Sequence, residues 1–158
     1  MSITEINALH LYEQSQKFRK IIGVFVTNFA DEHPGFLTVT DRKSGGIGFI
    51  EVDVENTCET VLDMFERGYE EKTGNGMPHC LLQKCYVFHD DILIIVWNAC
   101  GETIPTKMDL DYENNGDIDS MQIIRVLDLK KAMYGNSHLE LNKSAFWYTP
   151  MILHAFEF

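Results

Sequence analysis

The chain lacks a CxxC pair and lacks any second cysteine pair at zinc-finger spacing. Its four cysteines, Cys58, Cys80, Cys85 and Cys100, are scattered. Neither a cysteine-rich zinc site nor a disulfide scaffold is expected from them. They read as reduced, mostly buried thiols of a cytoplasmic protein. Cations are scarce as well: 13 Lys and Arg stand against 24 Asp and Glu, for a net charge of −11. Nucleic acid and anionic membrane both require a cationic surface, so neither is expected as a partner. A phosphorylated small molecule stays open if metal ions, or a local cluster such as Arg42 and Lys43, offset its charge. Long apolar runs are missing. The longest, 92-ILIIVW-97, suits a buried strand and not a bilayer span. The N-terminal MSITEINALHLYEQ has no basic region followed by an apolar core, so no secretory signal is expected.

What is present is the mix of an ordinary globular domain, with 45% hydrophobic and 23% charged residues over 158 positions. That length suits one domain with a real core. Ser2-Ile3-Thr4-Glu5 is a capping-box pattern, and Ile6, Leu9 and Tyr12 follow at helical spacing, so residues 1–18 predict a short helical extension. Strands are predicted at 21-IIGVFVTN-28 and 36-FLTVT-40, paired as a hairpin through the turn at His33-Pro34-Gly35, and at 47-IGFIEVDV-54. Thr57 caps a predicted helix running to about Lys72, stopped by Gly74-Asn75-Gly76. Two further strands, 81–89 and 92–99, turn at Asp90-Asp91. The acidic stretch 109–119 reads as a solvated loop. Next come a strand at 121–126, a short helix capped by Asp128 and ending at Gly135, and a C-terminal helix starting at Thr149-Pro150 and running through Phe156. Strands on both sides of one long helix predict an α+β fold, a mixed β-sheet with helices on its faces.

The central helix carries the most information. At about 100° per residue, Cys58, Leu62, Phe65 and Tyr69 share a sector that Val61 widens, and this is the face that packs on the sheet. Glu59, Asp63, Glu66 and Glu70 share a second sector beside it. Four like charges on a stripe repel by a few tenths of a kcal/mol per neighbouring pair. Arg67 relieves Asp63 and Glu71, each four residues away. A divalent cation would remove the repulsion; so would water and counterions on a solvated face. Both readings stand at this level. Gly68 inside the helix costs roughly 1 kcal/mol against alanine, which points to close approach by another backbone or a ligand. Trp97, Phe146, Trp147 and Tyr148 suit either the core or the contacts of a homodimer, with base stacking a lesser alternative.

The segment 59-ETVLDMFERGYEEKTG-74 resembles the second half of the Nudix box, GX5EX7REUXEEXGU, where U is a bulky aliphatic. Glu59 and Arg67 have the E-x7-R spacing, Glu71 falls on the first glutamate of the EE pair, and Gly74 falls on the box glycine. The preceding 45-GGIGFIE-51 resembles the glycine-containing strand before that helix, with Glu51 as a counterpart of a family glutamate. The chain departs from the box at Gly68 and Lys72, where two of the three metal-binding carboxylates would stand, and at Asp53, where the first box glycine would stand. A shift of one residue retains Glu70 and Glu71 as the EE pair.

The resemblance implies a Nudix-like α/β/α sandwich. It further implies hydrolysis of a nucleoside diphosphate linked to another group, with Mg²⁺ or Mn²⁺ held by helix carboxylates. In that reading Glu70 and Glu71 are metal ligands, Glu66 and Glu59 support them, Glu51 acts as a base, and Arg67 orients the carboxylates. Lys72 supports a competing class: a Nudix-like domain that has lost hydrolysis and binds a nucleotide or a protein.

Overall fold

Two strands with no polar face, β2 (Lys20–Thr27) and β7 (Ile92–Asn98), lie side by side and parallel, in register from Lys20 opposite Ile92 to Val26 opposite Asn98. Their side chains alternate between two buried layers. Ile21, Phe25, Leu93 and Ile95 face one side; Ile22, Val24, Val26, Ile94 and Val96 face the other. Burial on both faces is why these runs are almost continuously apolar. The computed structural model describes residues 3–27, 34–99, 104–106, 118–135 and 138–155. Predictions that fall on 28–33, on Cys100, on most of the acidic stretch 109–119 and on Phe156 lie outside those residues. No helix among the described residues is long and apolar enough to cross a membrane.

The remaining strands are β1 (Ile3–Ile6), β3 (Gly35–Asp41), β4 (Ile47–Gly48), β5 (Ile50–Asp53), β6 (Leu81–Phe88) and β8 (Ile118–Arg125). They form one mixed sheet in the order β1-β6-β7-β2-β3-β4, with β5 on β2 and β8 on β3. Strand β2 divides its outer edge. Its first half pairs with β5, from Lys20 opposite Asp53 to Gly23 opposite Ile50. Its end pairs with β3 only at Val26 and Thr27. The predicted 36–40 hairpin partner therefore spends most of its length on β8 instead. The predicted single strand 47–54 breaks at Phe49, and its two pieces serve different neighbours, β3 and β2.

Helix α1 (Val61–Thr73) covers one face of the sheet; α2 (Val126–Met133) and α3 (Lys143–Ala155) cover the other. The fold is α+β, as the order of elements predicted. Burying a side chain the size of Phe65, which is fully covered under α1, contributes about 1.5–3 kcal/mol.

Four local expectations are corrected. Residues 3–17 form β1 and two short 3₁₀ turns, Ala8–Tyr12 and Ser15–Lys17, not an amphipathic helix. Pairing of Ile3–Ile6 with the edge of β6 outweighs the weak local capping signal, and Leu11 is the buried anchor while Leu9 and Tyr12 are exposed. The cap of α1 is Thr60, whose Oγ1 accepts from the Asp63 N–H at 3.2 Å; the Thr57 hydroxyl donates to Glu59 instead. Cys58 is thus an exposed loop residue, and Met64 and Gly68 take its place on the packing face. Asp128 sits in the first turn of α2, paired with Arg125 at 3.2 Å, and does not cap it. Helix α3 starts at Lys143, where Asn142 Oδ1 accepts from the Ala145 N–H, so Pro150 rides inside the helix and does not begin it.

Candidate functional site on the two sides of the central helix

Two glycines make room for helix α1 against the sheet. A Cβ on Gly23 of β2 would stand 2.2 Å from the Phe65 ring, and one on Gly68 would stand 2.5 Å from Val52 Cγ1. Gly74 ends the helix in the left-handed region, at φ 76°, with its N–H on the Glu70 carbonyl. This seating fixes which helix side chains look toward β5 and which look away from it.

Arg67 looks toward β5 and gathers three carboxylates. Its Nε and Nη2 donate to Glu59 at 2.8–3.1 Å, its Nη1 donates to Glu71 at 2.7 Å, and its Nη2 reaches Glu55 at 3.1 Å. Its predicted partner Asp63 is not among them. The guanidinium, foremost through its hydrogen bonds, holds the Glu59 carboxyl below the usual carboxylate range; Glu59 and Glu71 in turn push the Arg67 pKa further up. Beside this cluster is a cleft of about 150 Å³ lined by Asp53, Glu55, Gly68, Glu71 and Lys72 among others.

Asp53 and Lys72 also line a larger cavity of about 370 Å³, whose wall includes Lys20, Glu51 and Lys143. Glu51, on β5, is largely covered. One carboxylate oxygen accepts from Lys20 Nζ at 2.9 Å and the other from the Tyr148 hydroxyl at 3.0 Å. Tyr148 is buried; burial and then the Glu51 charge raise its pKa well above the ordinary tyrosine range. Glu51 also borders a third hollow, of about 450 Å³, on the α3 face, with Arg19, His89 and Trp147.

Glu66 and Glu70 look the other way. With Asp63 they line a groove of about 670 Å³ that also includes Tyr12, Leu62, Met77, Leu82 and Trp97. The four carboxylates expected to share a metal are therefore divided. Glu59 and Glu71 meet on Arg67, and Glu66 and Glu70 lie in the separate groove. Arg67 occupies oxygens of both Glu59 and Glu71, and Lys72 brings an ammonium to their cleft. Among the described residues no group of three His, Cys, Asp or Glu side chains is disposed to hold one ion. As arranged, these side chains do not fit a divalent metal.

Lys20, Glu55 and Lys143 join the site without having been expected there, and Tyr148, expected in the core or a homodimer contact with base stacking a lesser alternative, joins it as the partner of Glu51. Tyr148 meets Glu51 across 97 positions of chain, and no local periodicity signals such a contact. Lys20 stands just outside the predicted strand 21–28, and nothing in the sequence marks it.

No protein-family model matches this chain, and neither does any curated protein. Solved structures do resemble it. A Nudix hydrolase from M. smegmatis, RenU, superposes with a TM-score of 0.59 at 10% identity, over 88% of this chain and 86% of that one. The NUDIX domain of Shewanella oneidensis NrtR, complexed with ADP ribose, gives 0.56 at 15% identity, over 89% and 87%. A C. elegans Ap4A hydrolase gives 0.55 at 10% identity, over 87% and 95%. The fold is Nudix-like, and at these identities the likeness is one of fold.

Proposed function

We propose that this chain binds a nucleoside-diphosphate-type ligand in the cavity beside Glu51, and that lysine side chains take the place of divalent ions in meeting its phosphates. One observation carries the reading: Lys20, Lys72 and Lys143, from β2, α1 and α3, line a single cavity together with Asp41, Glu51 and Asp53. Lysine is a compact point charge well suited to phosphate oxygens. Lys72 stands where the Nudix box has a metal-binding glutamate, so the positive charge a metal would supply is already covalently present. Glu51 keeps Lys20 in place and is itself held by Tyr148. The neighbours complexed with ADP ribose or acting on Ap4A support the ligand class.

The test is thermal unfolding in EDTA with ADP-ribose, Ap4A and a nucleoside-diphosphate sugar. A ligand at about a hundred times its Kd stabilises by about 2.7 kcal/mol, a rise in Tm of roughly 5–10 °C. That rise should survive EDTA, shrink in Lys72→Ala and leave the ligand intact. No rise with any of these ligands would overturn the proposal.

A second reading is Mg²⁺- or Mn²⁺-dependent hydrolysis of a nucleoside diphosphate linked to another group. It is favoured by the likeness of the fold to solved Nudix hydrolases. Phosphate or nucleoside monophosphate released only with metal, and lost in Glu71→Gln, would decide for it.

A further inference from the structure

The groove on the far side of α1 belongs to neither reading above. We propose that it docks a basic amphipathic peptide segment of a partner protein. Its floor is apolar: Leu62 and Met77 pack there against the core, over the edge of buried Trp97. Its wall is acidic. Asp63, Glu66 and Glu70 follow one another at spacings of three and four, so they form one stripe about 10 Å long on the helix surface. Arg67 also borders this groove, but its guanidinium is engaged by Glu59, Glu71 and Glu55. The stripe therefore keeps its mutual repulsion, which a bound cationic partner would relieve.

Two further features define the occupant. The apolar surface does not stop at the groove: Tyr12 is 69% exposed and Leu82 is 37% exposed on its rim. A small amine would leave that rim uncovered, whereas a peptide with apolar side chains on one face covers floor and rim together. The net charge of −11 draws in basic segments. The fitting ligand is a short segment with an apolar anchor for the floor and two or three Lys or Arg spaced to meet the stripe.

The experiment is fluorescence anisotropy of a labelled synthetic peptide with leucines along one helical face and arginines along the other. Saturable binding is expected, weaker at high salt. Glu66→Gln with Glu70→Gln should weaken it about tenfold, the effect of two exposed ion pairs. Tyr12→Ser with Leu82→Ser should weaken it comparably. All four residues but Leu82 are well exposed, and the Gln pair removes a repulsion, so that variant keeps its fold. Lys20→Gln, on the far cavity, should bind as the parent does. Oligolysine binding as tightly as the amphipathic peptide would reduce the groove to bulk charge attraction and overturn the proposal. So would a Gln pair that binds unchanged, or full displacement of the peptide by spermidine at matched charge.

Discussion

Arg67 ties the loop before α1 to the helix itself, and its effect should be visible in acid. Because Arg67 holds the Glu59 carboxyl below its ordinary pKa, the stability this contributes is complete above about pH 4.3. It is lost as pH falls through the lowered folded value. Arg67→Gln should lower stability by roughly 1–2 kcal/mol at neutral pH, the worth of a partly exposed network. Below that pH the Tm of the parent should fall more steeply, and the two curves should converge. Parallel curves in a Tm–pH series would mean the network contributes nothing. The sequence showed the eight-residue interval between Glu59 and Arg67, because a helical approach and a motif both specify it. It did not show Glu55, which reaches Arg67 from a loop whose path depends on β5. Nor did it show the division of the acidic stripe, because a helical wheel gives angles and not the neighbours on each side.

At the scale of elements, the central strands and α1 were legible because burial on both faces, or on one clear stripe, leaves a strong pattern. The two ends of the chain were not. The N-terminal segment has helical spacing, yet it lends Ile3–Ile6 to a sheet edge and the Glu13 carbonyl to the Val61 N–H. Those are tertiary contacts that no local propensity encodes. At the other end, Thr149-Pro150 looks like a helix start, but α3 has already run seven residues by Pro150. Proline inside a helix removes one hydrogen bond and crowds the preceding turn. Pro150 is exposed, so Pro150→Ala should stabilise by about 1–3 kcal/mol. Urea unfolding should show a higher midpoint with an unchanged slope. A lower midpoint would mean that the proline is needed to seat Ile152 and Leu153 on the sheet.

For the molecule as a whole, the class of fold followed from element order, while the sheet order did not. The parallel contact of β2 with β7 joins Lys20 to Ile92, and pairing across such a separation leaves no periodic trace. Yet strand pairing decides the site: β5, held on β2, lies under α1 and thereby sorts the helix carboxylates between two hollows. It also sets the order of opening. Amides of β2 and β7, buried on both faces, should exchange with solvent most slowly, and those of β1 and β4 at the sheet margins fastest. Hydrogen–deuterium exchange read by mass spectrometry would check this. Equal protection of β1 and β7 would contradict the layered arrangement.

Gly68 fills the register position where the Nudix box has a glutamate, and the stiff, branched Val52 has claimed the space a larger residue would need. A glutamate introduced at position 68 alone would meet a steric barrier before it could offer any chemistry. Position 52 would have to shrink first. A carboxylate at position 68 is thereby barred by its neighbour, and a full set of box acids would require changes at positions 52, 68 and 72 together.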